Sequence, residues 1–143
     1  MRRIFSFLVI FMVLLWSGFA FAAEPPIKVG LSVSLSGAAA AYGIHMRNGV
    51  ELAVEDINKA GGINGRTVTF ISEDDAGNPA QASSVMIRLI TQHNVDAIIG
   101  GANSTLAFVC KDIAEREKIP TITSSGSNPK LTGPDNKYFF RLN

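Results

Sequence analysis

Two hydrophobic periods alternate along the chain. Short, nearly continuous apolar runs are separated by longer stretches in which apolar residues return every three or four positions. The runs predict strands at Ile27–Leu35, Thr67–Ser72, Val95–Ile99 and Pro120–Thr123, with a fifth opening at Tyr138-Phe139-Phe140. The longer stretches predict helices from about Tyr42 to Ala60, from Asn78-Pro79 to about Gln92, and from near Ser104 to Glu117. Met46, Val50, Ala53, Val54 and Ile57 form the inner stripe of the first helix, with Arg47 and Glu51 a turn apart on its wet side. Val85, Met86, Leu89 and Ile90 line the second, and Leu106, Val109, Cys110, Ile113 and Ala114 the third.

Punctuation agrees with these periods. Gly61-Gly62 stops the first helix and Gly62-Ile63-Asn64-Gly65 makes a turn. Asn78 before Pro79 is a helix start, with a capping side chain followed by proline in the first turn. Strands alternating with helices of this length predict an α/β fold, a Rossmann-like open parallel sheet with helices on both faces.

The first residues follow a different pattern. Met1-Arg2-Arg3 is a short basic start, Ile4 to Ala20 is almost wholly apolar, and Ala20-Phe21-Ala22 offers small residues at a cleavage point. Residues 1–22 are therefore expected to be a signal peptide, leaving 23–143 as an α/β ligand-binding lobe. A retained anchor fits less well, because the apolar run of about 17 residues is at the short edge of the spanning range. The polar break Glu24-Pro25-Pro26 follows it directly. The chain stops inside the fifth strand, so the lobe is expected to be incomplete and part of a longer protein.

Charge and cysteine content narrow the function. The sequence has 13 Lys and Arg against 12 Asp and Glu, so neither a nucleic-acid patch nor a polybasic membrane surface is implied. The single cysteine, Cys110, excludes an internal disulfide and lies on a helix stripe, where a small buried hydrophobe is the simpler expectation than a reactive thiol.

In an open parallel sheet the loops at the carboxyl ends of the strands form the ligand crevice. Here those loops are Ser34-Leu35-Ser36-Gly37, Glu73-Asp74-Asp75, Gly100 to Thr105 and Thr123 to Asn128. Ser104 and Thr105 open the third helix, where unpaired N–H groups and the helix dipole attract a carboxylate or another anion. Ser104 could equally cap its own helix. Ser125, Gly126 and Ser127 belong to a Ser/Gly cluster that is either solvated or turned into the same crevice. Tyr42 either walls a ligand with its ring or packs as a core residue at the helix start. Asp74 and Asp75 are expected to brace loops or cap a helix rather than to form a metal or acid/base pair, since neighbours at a strand end point to opposite sides. His45 and His93 lack metal-ligand spacing. No nucleophile-elbow, Walker or dinucleotide-binding motif is present. No catalytic residue, cofactor or metal is therefore expected.

Several segments in order carry a resemblance. They are Val29-Gly30-Leu31 to Ser36-Gly37, Ala41-Tyr42-Gly43, Arg47-x-Gly49-x-Glu51-Leu52-Ala53 and Ile57-Asn58-x-x-Gly61-Gly62-Ile63-Asn64-Gly65. Glu73-Asp74-Asp75, Asp96-Ala97-Ile98-Ile99-Gly100, Ser127-Asn128-Pro129-x-Leu131-Thr132 and Phe140-Arg141-x-Asn143 complete the set. Together they resemble the leucine/isoleucine/valine-binding protein family, the substrate-binding subunits of branched-chain amino acid ABC transporters. The resemblance implies the N-terminal lobe of a two-lobed, type I periplasmic binding protein that closes on its ligand by a hinge. It implies a small-molecule partner, an amino acid or analogue, and membrane permease subunits of an ABC transporter. By the same resemblance Ser104 would hold the ligand carboxylate, Ser125 and Ser127 would meet its carboxylate and ammonium, and Tyr42 would line the pocket. A disulfide common in the family falls here on Gly77 and Asn103 and is absent. A sensory domain reporting to a membrane receptor is the alternative function, and an exported enzyme using Ser36 or Ser104 a more distant one.

Overall fold

A computed structural model describes residues 24–142, so the expected signal peptide lies outside the described residues. One parallel sheet contains β1 (Ile27–Val33), β2 (Val68–Asp74), β3 (Ala97–Gly100), β4 (Thr121–Thr123) and β5 (Phe139–Arg141), ordered β2-β1-β3-β4-β5. The connections carry α1 (Ala40–Lys59), α2 (Pro79–Thr91) and α3 (Ser104–Glu117), with a 3-10 turn at Pro129–Leu131 before β5. The expected βα order is therefore present. Among the described residues no helix is long and apolar enough to cross a membrane.

Boundaries moved where side-chain chemistry, rather than hydrophobicity, decides. β1 stops at Val33 instead of Leu35, because the N–H of Leu35 turns away to donate to Asp74. β2 continues past Ser72 through Glu73 and Asp74, which stay in register with Ser32 and Val33. α1 begins at Ala40, inside a run of small residues that carries no periodic signal. Asn78 caps α2 as expected, accepting from the N–H groups of Ala80 and Gln81.

α2 and α3 pack side by side on one face of the sheet. Val85, Met86, Leu89, Ile98, Cys110 and Ala114 are buried between them and the strands. Among the described residues α1 is the one helix on the other face, where it rests on β1 and β2. Its predicted stripe does point at the sheet, but a cavity of about 380 Å³ lies beneath it, bounded also by Ile27, Val29, Ile99 and Ile122. Gly43 is the one buried residue of α1. Helices do lie on both faces, yet the α1 face is covered only in part, because one helix spans two of five strands.

Candidate functional site

The chain runs from β1 outward to β2, then crosses back to β3 on the other side of β1. The carboxyl ends of β1 and β3 thus diverge, and this switch point is where open α/β sheets place ligands. The loops after β1, β3 and β4 meet there.

Asn103, not Ser104, caps α3: its side chain accepts from the N–H of Leu106 at 3.0 Å. Ser104 is thereby released from the capping role. Its Oγ instead accepts from the backbone N–H of Asn128 at 3.2 Å, tying the start of α3 to the loop after β4. The hydroxyl proton stays available to an outside acceptor. The partner of Ser104 is a backbone amide rather than a histidine or carboxylate, so nothing here would activate it as a nucleophile. Thr105 follows on the same first turn and is exposed.

The loop after β4 is held by a residue that sequence inspection passed over. Thr123 is buried, donates through Oγ1 to the carbonyl of Gly101 at 2.8 Å, and accepts from the N–H groups of Ser125 and Gly126 at 3.3 and 3.1 Å. One hydroxyl therefore joins the loops after β3 and β4. Gly126 has to be glycine for the loop to lie so close: a Cβ there would come 2.8 Å from Leu131 and 2.9 Å from Ala107. Ser127 is exposed, and its carbonyl accepts from Arg141 at 2.9 Å.

Tyr42 is 51% exposed, so it is no core residue. Its hydroxyl lies 2.6 Å from Ser125 Oγ, which also lies 3.2 Å from Ser124 Oγ. The structure thus brings Tyr42 and Ser125 into direct contact and joins Ser104 to the same loop through Asn128. The cavity under α1 is elsewhere, touching this rim only at Ser124.

Asp74 and Asp75 brace loops, as expected. Asp74 accepts from the N–H groups of Leu35, Ser36 and Ala76. The Ser36 side chain, together with these amides, holds its carboxyl below the usual carboxylate range. Asp75 is fully buried and accepts from Ser34, Ser32 and the N–H of Gly77. Among the described residues no group of His, Cys, Asp and Glu could hold a metal ion. His93 instead lies 2.9 Å from Glu73, which also pairs with Arg88. Cys110 is buried, and desolvation aided by the charge of Asp75 pushes its thiol up to about 12.

Known proteins share this frame. A Leu/Ile/Val-binding protein homolog from Brucella melitensis is 34% identical over 87% of this chain, and a leucine-, isoleucine-, valine-, threonine- and alanine-binding protein of Pseudomonas aeruginosa is 34% identical over 88%. The chain spans about a third of the length of each (33%). The crystal structure of the branched-chain amino acid transporter substrate-binding protein LivJ from Streptococcus pneumoniae, in complex with isoleucine, matches with a TM-score of 0.76 and 35% identity, covering 81% of this chain and 33% of that one. A solute-binding protein of an ABC transporter from Rhodopseudomonas palustris, in complex with 3,4-dihydroxybenzoic acid, matches at 0.71 and 28% identity, covering 81% and 31%. The sequence profile described as periplasmic binding protein matches residues 26–143, and the chain belongs to that family.

Proposed function

We propose that this chain forms one lobe of a periplasmic receptor that captures a small amino acid, in the first instance a branched-chain one, and hands it to the permease of an ABC importer. The observation that carries this is the juxtaposition at the sheet's switch point: the first turn of α3, with Ser104, is tied to the Ser125–Ser127 loop, and Tyr42 stands on that loop. Helix N–H groups and a hydroxyl with a free proton suit a carboxylate. The isoleucine and the 3,4-dihydroxybenzoic acid bound to the two solved relatives share that group and little else.

In this role Ser104 donates its hydroxyl to the carboxylate, and Ser104 and Thr105 offer the backbone N–H groups of the helix start. Ser125, Gly126 and Ser127 present further hydroxyl and amide groups, and the ring of Tyr42 forms a wall. The remaining contacts, including the partner for an ammonium group, come from the rest of the longer protein, and closure of the two parts desolvates the ligand. The ligand leaves unchanged. Delivery to an importer places the receptor outside the cytoplasmic membrane, consistent with residues 1–22 acting as an export signal.

Calorimetry on the full-length protein with a panel of amino acids, their amides and small aromatic acids tests this. One branched-chain amino acid is expected to bind, and Ser104→Ala to weaken it at least about tenfold, the effect of losing a charge-assisted hydrogen bond. Binding unaffected by Ser104→Ala, or turnover of the bound solute, would remove the proposal.

A further inference from the structure

The carboxylate of Asp75 is wholly buried, takes no part in the ligand site proposed above, and sits where the end of β1 meets the loop after β2. Its Oδ1 accepts from Ser34 Oγ at 2.6 Å and from the N–H of Gly77 at 2.9 Å, and its Oδ2 from Ser32 Oγ at 3.2 Å. Its own N–H donates to the carbonyl of Val33 at 3.1 Å. The end of β1 is thus fixed to the loop after β2 by charge-assisted hydrogen bonds, the stronger kind.

From Ser34 the connection continues to the ligand rim. A Cβ on Gly43 would come 1.9 Å from the carbonyl oxygen of Ser34 and 2.6 Å from its carbonyl carbon. The first turn of α1 therefore seats its bare backbone directly on Ser34. Asp74 also holds the Leu35 and Ser36 amides of the same connection, ahead of the turn itself. Ala39 makes no side-chain cap, and Gly43 is the only buried residue of the helix. Tyr42 is the neighbour of Gly43, and its hydroxyl lies 2.6 Å from Ser125. A shift of Ser34 moves Gly43, and Tyr42 moves with it.

We propose that Asp75 is a positioning residue of the ligand rim, setting Tyr42 against Ser125 through Ser34 and Gly43. The proposal rests on the binding function above for its affinity effects, though not for its structural ones. It differs from a purely structural role, in which Asp75 would satisfy two buried hydroxyls and affect the stability of the lobe alone.

The test uses the full-length protein. In the ligand-free state Asp75→Ala is expected to raise amide hydrogen exchange over residues 35–45 at least about tenfold, while β4 and β5 keep their protection. Affinity for the amino acid that the unaltered protein binds is expected to fall about tenfold. Asp75→Asn retains one oxygen that can accept from both Ser34 and Gly77, and an amide N–H that Ser32 can accept, and it should hold affinity within about threefold. In a Tyr42→Phe background, Asp75→Ala should cost less than about threefold more, because the coupled contact is already lost. If Asp75→Ala does not fold, Ser34→Ala gives the same signature, leaving Asp75 bonded to Ser32 and Gly77. Unchanged exchange over 35–45 in a folded variant, unchanged affinity, or losses that multiply with Tyr42→Phe would overturn the proposal. The exchange measurement needs no ligand. If it rises as expected while no solute in the panel binds the unaltered protein, the receptor function falls and the positioning link stands.

Discussion

The two faces of the sheet are finished to different degrees, and β4 shows this within three residues. Thr121 and Thr123 are buried, whereas the apolar Ile122 between them is only half-buried and borders the cavity beneath α1. Usual preference would bury the isoleucine and expose the threonines. The inversion follows from what covers each face. α2 and α3 close most of one side, so even hydroxyls are buried there and must find partners: Thr121 donates to the carbonyl of Ile119 and Thr123 to that of Gly101. On the other side, among the described residues, α1 packs on two of the five strands. Among the described residues the larger buried cluster thus lies between α2, α3 and the sheet, while α1 covers Leu31, Val33 and Val68 and carries Tyr42.

Truncating one residue on each face tests that contrast most strongly. Leu89 is fully buried under α2, and Leu89→Ala is expected to destabilise this chain by about 3 kcal/mol in urea unfolding, through lost burial and an unfilled cavity. Val54 lies on the inner stripe of α1 but borders a space that is already empty. Val54→Ala should cost about 1 kcal/mol or less. Equal losses at the two positions would mean that the faces are equally packed.

The same contrast explains what sequence inspection could see. Periodicity located the five strands and three α-helices of the described residues, since an amphipathic stripe depends on neighbours three or four residues apart. It could not tell a finished face from an unfinished one, because the α1 stripe reads like those of α2 and α3. At the proposed site, strand order and loop composition single out Ser104, Ser125 and Tyr42 as candidates. Thr123, Ser34 and Gly43 were not, since their roles depend on partners in other segments, as far apart as Thr123 and Gly101 or Ser34 and Asp75. One signal was present: Ser32 and Ser34 alternate at the end of the predicted first strand, and two buried hydroxyls on one side require an acceptor.

A smaller effect is expected at the rim edge of the finished face. Thr123→Val keeps the shape of the side chain but removes a donor to Gly101 and the acceptor for Ser125 and Gly126. A loss of about 1 to 2 kcal/mol in unfolding free energy is expected. Weaker ligand binding should accompany it, measured by calorimetry on the full-length protein. Stability and affinity both at the level of the unaltered protein would show that the loops after β3 and β4 hold each other without this hydroxyl.

Glu115 joins the finished face to the edge strand and makes that joint pH-dependent. The carboxylate accepts from the N–H groups of Tyr138, Lys137 and Phe139 and from the side chain of Asn136, and these bonds, the Tyr138 amide foremost, lower its pKa. A carboxyl with a depressed native pKa contributes stability that is fully present above the ordinary glutamate range and is lost as pH falls through the native value. Glu115→Gln should therefore lower the urea midpoint slightly at neutral pH and flatten its decline in acid. An identical acid limb in both proteins would show that the carboxylate adds nothing there.

The smallest expected signal is an absence of reaction, and it compares the two faces directly. With its thiol pushed up to about 12 by burial and by Asp75, Cys110 keeps its sulfur protonated at pH 8. Its side chain is also closed off beneath α3. Alkylation by iodoacetamide should then proceed only as fast as the finished face opens. A second cysteine introduced as Val54→Cys borders the open cavity and should be modified first, with Cys110 following only in denaturant. Modification of both at similar rates in native buffer would place the two faces on the same footing and remove the contrast between a closed face and an open one.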